Sequence, residues 1–341
     1  MLPEEKYKEL LYELDNCKNP LFIFDDDPDG LCSFLLLYRY KKEGRWCYVK
    51  TLPKVTKDYV KYIDSQTDKI FILDMPEIDE DFFDEVKIPI IWVDHHPHGH
   101  PQHVKSFNPH DFNYKKKDTS TTALCYNAVK QDLWLAAVGA IADWTMPVYI
   151  KEFKKTYPDL LDKEIKEAPE ALFNSKLSEI IEIFSMVLKG NSKTTKQSLS
   201  TLRKINSPYE LLLNESSESK LIRKKVNPII NEYKEILNLA LNNVPKDKIF
   251  IFIYSEKYNS FSSEIANFLQ FKFPNKVIIV GRLKNGEYKL SIRSQNTNIN
   301  LILERILSGL NGSGGGHDNA CGVCINENHF EEFIYRFKKE I

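Results

Sequence analysis

Apolar runs that stop abruptly on acidic residues constrain this chain more than any other feature. PLFIF (20–24) runs into Asp25, Asp26, Asp27, Pro28, Asp29 and Gly30; KIFIL (69–73) into Asp74; IIWV (90–93) into Asp94, His95 and His96. A short, continuous apolar run bounded by charge marks a strand buried on both faces, as in a parallel sheet. Ligands of open parallel sheets bind outside the carboxyl ends of the strands, and each of these strands delivers carboxylates or imidazoles there. A fourth carboxylate, Asp143, ends the apolar run LAAVGAIA (135–142).

In an extended segment Asp25, Asp27 and Asp29 share one face. D-x-D-x-D-G also opens an EF-hand calcium loop. That reading fails, because the twelfth position is Leu36, where a bidentate Glu is required, and the preceding segment is a strand. Aspartate oxygens with one or two imidazoles suit manganese or magnesium better than zinc. Two such ions, about 3.5–4 Å apart, activate water and clamp phosphoryl oxygens. Singly, an Asp after a strand is usually a cap; strand-end clusters in register are harder to explain that way.

Strands at 20–24, 47–49, 69–73 and 88–93 alternate with helices at 5–15, 31–40, 54–64, 79–86, 119–130 and 133–142. The expected fold class is therefore α/β, with an N-terminal doubly wound, mainly parallel sheet over residues 1–150. From 151 to 243 strand signals vanish and apolar residues recur at helical spacing, predicting a helical middle segment. A smaller C-terminal α/β domain with a mixed sheet follows over 244–341. It has strands at 249–254 and 276–281, an Asn-Gly hairpin within 283–293, and helices at 262–271, 299–310 and 328–340. NGSGGGH (311–317) interrupts before a further strand, ACGVCI (320–325).

A net charge of −1 supplies no global positive field, so polyanion binding must come from local clusters. Lys115 to Lys117, Arg203 with Lys204, and Arg223 to Lys225 are such clusters, each equally readable as a solvated face. Six scattered cysteines fit reduced thiols; Cys321 and Cys324 form a C-x-x-C with no second pair to complete a zinc site. No apolar window reaches the roughly 18 residues of a membrane span, and the start is acidic and helical. The expectation is a cytoplasmic protein with no membrane partner.

In this order, DxDG, a lone Asp after a strand, DHH and a later Asp resemble the motifs of DHH phosphoesterases. That family includes RecJ-type exonucleases, oligoribonucleases, cyclic dinucleotide phosphodiesterases and family II pyrophosphatases. The resemblance covers residues 20 to 145. It implies that Asp27, Asp29, Asp74, His95 and Asp143 hold two divalent ions, manganese foremost and magnesium as the alternative, with Asp74 bridging them. Asp25 matches an additional ligand of the RecJ-like branch, and Asp26 stays outside the set. Asp94 and His96 are the implied catalytic pair, with His96 facing the substrate phosphate as ligand or transition-state stabiliser. Ile23 stands where pyrophosphatases carry a histidine, which points to the RecJ side. His98, His100, His103 and His110 have Pro and Gly neighbours and read as loop. The hydroxyl run Thr119 to Thr122 opens a helix, where Ser120 contacts substrate phosphate or merely caps.

Consecutive glycines let backbone N–H groups approach an anion, and this run lacks the Lys-Ser/Thr ending of a P-loop. GGGHDNACG (314–322) is similar to the GGGHxxAAG signature of the DHH-associated domain, with Cys321 in place of the second Ala. The resemblance implies that Gly314, Gly315, Gly316 and His317 grip a substrate phosphate with help from Arg293. The same domain occurs in alanyl-tRNA synthetases. Together the two halves imply a single-strand-specific exonuclease acting on DNA or RNA, similar to archaeal RecJ-like nucleases, with a replication or repair protein as partner. The alternatives are an oligonucleotide or cyclic dinucleotide phosphodiesterase and a non-catalytic replisome scaffold.

Overall fold

The computed structural model describes residues 1–50, 54–97, 99, 101, 104–112 and 119–341. The chain divides into two compact units, Met1–Lys225 and Val226–Ile341.

The first unit is built on a five-stranded sheet of β1 (Pro20–Asp25), β2 (Arg45–Val49), β4 (Lys69–Leu73), β6 (Ile90–Val93) and β7 (Val104–Phe107). Their order is β2-β1-β4-β6-β7, all parallel. Every residue of β4 and β6 is buried, as their unbroken apolar runs require. Two short strands, β3 (Lys54–Val55) and β5 (Glu77–Ile78), pair separately.

Helix α1 (Glu4–Asp15) precedes the sheet, and α2 (Pro28–Lys41) connects β1 to β2. On one face Phe24 stacks on Phe34 and Phe22 meets Phe34 edge-on, backed by α4 (Thr121–Val129) and α5 (Leu133–Ala142) against α2. On the other, Ile23, Cys47 and Ile72 meet Phe82 of α3 (Glu80–Glu85). From β1 the chain goes first to β2 on one side and then to β4 on the other. The strand order therefore reverses between β1 and β4, which makes their carboxyl ends a topological switch point.

The helical segment belongs largely to this unit. It comprises α6 (Ile150–Thr156), α7 (Ala168–Asn174), α8 (Leu177–Val187), α9 (Ser192–Leu202) and α10 (Pro208–Leu213). The unit boundary falls inside α11 (Ser217–Leu241), just before Pro228. Among the described residues no helix is long and apolar enough to cross a membrane.

The second unit holds a mixed sheet of order β11-β12-β10-β9-β8, formed by β8 (Ile249–Tyr254), β9 (Val277–Lys284), β10 (Glu287–Arg293), β11 (Gly312–His317) and β12 (Ala320–Asn326). Of its four strand pairs, β8–β9 is parallel and the others are antiparallel. Leu290, Ile292, Val323 and Ile325 pack on α13 (Ile299–Ile306) and α14 (Phe330–Glu340). Helix α12 (Ser262–Lys272) contacts β9 and β10.

Three expectations are corrected. Residues 54–64 form β3 and a 3-10 turn at Lys57–Tyr62 in place of a helix. The stretch after the DHH run contains the edge strand β7. The glycine run is a paired strand, its low β propensity offset by the full ladder with β12.

Close packing of α5 on α4 leaves no room at Gly139, where a Cβ would lie 2.1 Å from Thr122 Oγ1 and 2.7 Å from Cys32 Cβ. Gly139→Ala is expected to destabilise the protein by about 1–3 kcal/mol, the usual range for overpacking. Denaturant unfolding checks this through a lower midpoint at unchanged slope.

Candidate metal centre

Motif one folds differently from an extended comb. Asp27 is the N-cap of α2, its carboxylate accepting from Gly30 N at 2.9 Å, with Pro28 at the first helical position. Asp29 therefore sits in the first helical turn, where the macrodipole favours negative charge. The turn is tight: a Cβ on Gly30 would lie 2.8 Å from the Asp25 backbone. Helix α2 thus starts directly against the end of β1.

Asp74 follows β4 in the left-handed region, φ +59°, a conformation that Asp tolerates better than most residues. Its N–H donates to Val93 O at 3.0 Å, tying the end of β4 to the end of β6.

Two threonines of α4 organise the floor. Thr121 N and Thr122 N donate to the two oxygens of Asp29 at 2.9 and 2.8 Å, and Thr121 Oγ1 donates to Asp74 Oδ1 at 2.9 Å. Hydrogen bonds to a charged group contribute about 1.5–3 kcal/mol each, so α4 fixes both carboxylates. Sequence reasoning missed this role for Thr121 and Thr122. The hydroxyl run was the visible signal. Ser120 is a correction: it is fully buried and its Oγ accepts from Ala123 N at 3.2 Å, so it caps the helix and does not face substrate.

His95 Nε2 lies 3.5 Å from Asp74 Oδ1, 3.7 Å from Asp143 Oδ2 and 3.9 Å from Asp29 Oδ2. Asp143 is the C-cap residue of α5. Among the described residues donor atoms fall into three groups, each with its atoms within 4.8 Å of one another. These are Asp25, Asp27 and Asp74; Asp29, His95 and Asp143; and Asp74, His95 and His96. All six residues expected to hold metal are thereby brought together.

His96 packs beside His95, ring centroids 4.2 Å apart, but has its own anchor. Asp94, fully buried, meets His96 Nδ1 with Oδ1 at 2.9 Å and accepts from His96 N with Oδ2 at 2.9 Å. With Nδ1 engaged by Asp94, Nε2 is the nitrogen that can act on a ligand. Buried Asn108 donates to His96 O at 2.7 Å, a support that no sequence pattern announced.

Burial raises the carboxyls of Asp25 and Asp74 well above the ordinary aspartate value, and the neighbouring aspartate charges push the same way. Asp27 rises through burial and the charge of Asp29. Asp29 rises through burial against the opposing bonds from Thr122 and Thr121. Acidic groups crowded in this way stay ionised only when positive charge joins them. An oxygen-rich set with one or two imidazoles fits manganese or magnesium.

In the second unit, β11 is the sheet edge, where alternate N–H groups lack a ladder partner. Gly314, Gly315 and Gly316 lie on it, and His317 ends it. Gly316 has φ +146°, and a Cβ there would lie 2.5 Å from Ala320 O. His317, Ala320 and Arg293 are register partners across three strands, so their side chains share a sheet face. Arg293 departs from the expected phosphate grip. Its guanidinium donates to Asn267 Oδ1 at 2.6 Å, Ser263 Oγ at 2.7 Å and Ile292 O at 2.9 Å, and burial draws it down to about 10. Its donors brace α12 against β10.

Cys321 and Cys324 point to opposite faces of β12, Cys321 into the core and Cys324 toward Glu287, which removes a shared metal. His98, His100, His103 and Lys115 to Lys117 lie outside the described residues.

Residues 21–157 match the DHH family, N-terminal domain, and residues 247–341 match the DHHA1 domain. No curated protein sequence matches the chain. Among solved structures, RecJ of Thermus thermophilus in complex with Mn2+ is similar over 98% of this chain at 17% identity and a TM-score of 0.68, and the chain spans 54% of that protein. An exonuclease RecJ bound to manganese is similar over 98% of this chain and 94% of its own, at 18% identity and a TM-score of 0.64. The pGpG-specific phosphodiesterase PggH of Vibrio cholerae is similar over 95% and 98%, at 12% identity and a TM-score of 0.51. With its motifs gathered at one sheet rim and an associated domain following them in sequence, the chain belongs to the DHH family and has the RecJ-like fold.

Proposed function

We propose that this chain, a DHH-family hydrolase of phosphodiester bonds, is a single-strand-specific exonuclease acting on DNA or RNA with two divalent ions, manganese foremost. The observation that carries the reading is that Asp74 and His95 belong to overlapping donor groups. Asp25, Asp27 and Asp74 would hold one ion; Asp29, His95 and Asp143 the other, with Asp74 between them. When bound, such ions supply charge that polarises phosphoryl oxygens and makes water acidic enough to attack at neutral pH.

The chain's own groups do the rest. Thr121 and Thr122 hold Asp74 and Asp29 at fixed positions, so no reorganisation is needed as charge develops. Asp94 holds the imidazole of His96 in one tautomer and presents Nε2 to the non-bridging phosphate oxygens. The outward N–H groups of Gly314 to Gly316, with His317, would bind a further substrate phosphate. A role in DNA repair or replication, with a protein partner from that machinery, fits an enzyme of this kind.

The second reading, hydrolysis of short oligonucleotides or linear dinucleotides, is favoured by the fold shared with PggH. A labelled ladder from dinucleotides to long single strands separates the two. Progressive shortening of long strands is the expected result, and activity confined to the shortest species would establish the rival.

Asp74→Ala and His95→Ala are expected to abolish turnover while circular dichroism stays native. A rate unchanged by either substitution would refute the assignment.

Asp94→Asn keeps the shape of the pair but reverses the donor preference at His96 Nδ1. It is expected to lower kcat by roughly 10²–10⁴-fold, the span of a positioned acid–base group, with ion affinity little changed by calorimetry.

Removing the ions has a pH signature. Folding raises the carboxyls of Asp25, Asp27, Asp29 and Asp74, so the folded chain holds more protons than the unfolded one. In chelator, stability is therefore expected to fall as pH rises from the ordinary value of 3.8 through the raised folded values. Manganese should reverse the loss at neutral pH, and thermal melts with and without chelator read both effects.

A further inference from the structure

The N-terminal unit contains a second concave surface that the motifs do not announce. It is a cleft of about 360 Å³, lined among others by Lys50, Tyr59, Lys61, Tyr62, Ser192 and Lys196. That volume lies in the usual range for a small-ligand site, roughly 300–1,000 Å³. One wall is the 3-10 turn Lys57–Tyr62 and the other is the start of α9. Its position follows from register. Lys50 is the residue after Val49, and Val49 is the strand partner of Asp25. The cleft therefore opens on the same carboxyl rim as the carboxylates, one strand outward.

The charge of this cleft is unbalanced. Lys54 also lines it but is paired with Glu77 and Asp79, and among the described residues Asp58 is the sole acidic one in the lining. No carboxylate among the described residues pairs with Lys50, Lys61 or Lys196. Lys50 Nζ instead donates to Gly190 O at 2.9 Å. The ammonium groups of Lys61 and Lys196 lie 5.5 and 5.8 Å from the centroid of the same ring, Tyr62. Both ammonium groups are exposed beside one ring, which leaves their charge open to an anion. The eleven-residue α9 adds the positive end of its dipole at Ser192. Tyr59 lies 6.0 Å from Tyr62. Lysines that track a backbone and aromatic rings that accept bases are the two elements of single-strand recognition.

We propose that this cleft is a subsite for a nucleotide of the substrate strand flanking the one at the carboxylates, its phosphate between Lys61 and Lys196 and its base against Tyr62. The inference rests on the exonuclease reading above and names where that strand runs. It also gives the helical segment a task, since α9 supplies Ser192 and Lys196.

The test uses the full chain with manganese and a single-stranded oligonucleotide, comparing the parent with the Lys61→Ala/Lys196→Ala double variant over a series of salt concentrations. Both lysines are exposed, so folding should survive, and a thermal melt verifies it. The variant is expected to raise KM about tenfold or more at low salt. Its dependence of log(kcat/KM) on log salt should flatten by roughly 0.7, because each phosphate neutralised on a single strand contributes about 0.7. The Lys61→Arg/Lys196→Arg double variant should keep both values at those of the parent. KM and salt dependence equal to those of the parent would overturn the subsite, as would a KM unmoved while a free mononucleotide alters the rate. If the parent cleaves no single strand, the exonuclease reading fails separately. The same pair compared by fluorescence anisotropy then decides the cleft, equal affinity for the strand overturning it.

Discussion

Mutual repulsion among the carboxylates at the β1–β4 switch point is the constraint around which the N-terminal unit is arranged. Two unit charges 4 Å apart repel by about 4 kcal/mol at an effective dielectric constant near 20. Asp25, Asp27, Asp29 and Asp74 bring several such pairs into one partly desolvated volume. Backbone geometry offsets part of this. The N-termini of α2 and α4 both point at the cluster, and Asp27 and Asp29 accept N–H groups from them. What the amides leave uncompensated falls to protons or to cations. A buried cluster of this kind recruits positive charge, as protons or as cations, whatever its reaction.

Much of this frame was legible in the sequence, for a definite reason. Strands buried on both faces have no polar face to hide, so PLFIF, KIFIL and IIWV read as strands and their first polar residues marked the rim. Pleat alternation gives the wrong path from Asp25 to Asp29, because it does not continue past the end of β1. Pro28 behind a capping Asp is a helix-start signal, and it places Asp27 and Asp29 on a turn instead. Tertiary partners decided what local pattern could not. Gly312 to His317 is a strand because β12 supplies a ladder for it. Asn108 holds His96 from a loop with no periodicity, and Arg293 spends its donors on α12.

The DHH run shows how adjacent residues acquire different work. Past the end of β6, His95 turns inward to Asp29, Asp74 and Asp143, while His96 is fastened to Asp94 by its ring and its backbone N–H together. One imidazole thus sits among three carboxylates, while the other, 4.0 Å from Asp74, is held chiefly by its own neighbour. A single tripeptide supplies a ring among the carboxylates, a second positioned ring and the group that positions it. Exchanging Asp94 with either histidine would take the carboxylate away from the ring it holds.

Net charge bears on the same arrangement. At −1 overall, the chain cannot attract a polyanion from a distance by its total field. Affinity must come from cations left without acidic partners at particular places. Several lysines and arginines here are neutralised locally, as Lys54, Lys69 and Arg39 are by Glu77, Glu13 and Asp132. Among the described residues Lys61 and Lys196 have no such carboxylate, and they come from segments far apart in the sequence to meet at one tyrosine. Both side chains are exposed, so their charge is open to an anionic ligand. The carboxylates one strand away are the opposite case, charges of one sign crowded where burial and their neighbours oppose ionisation.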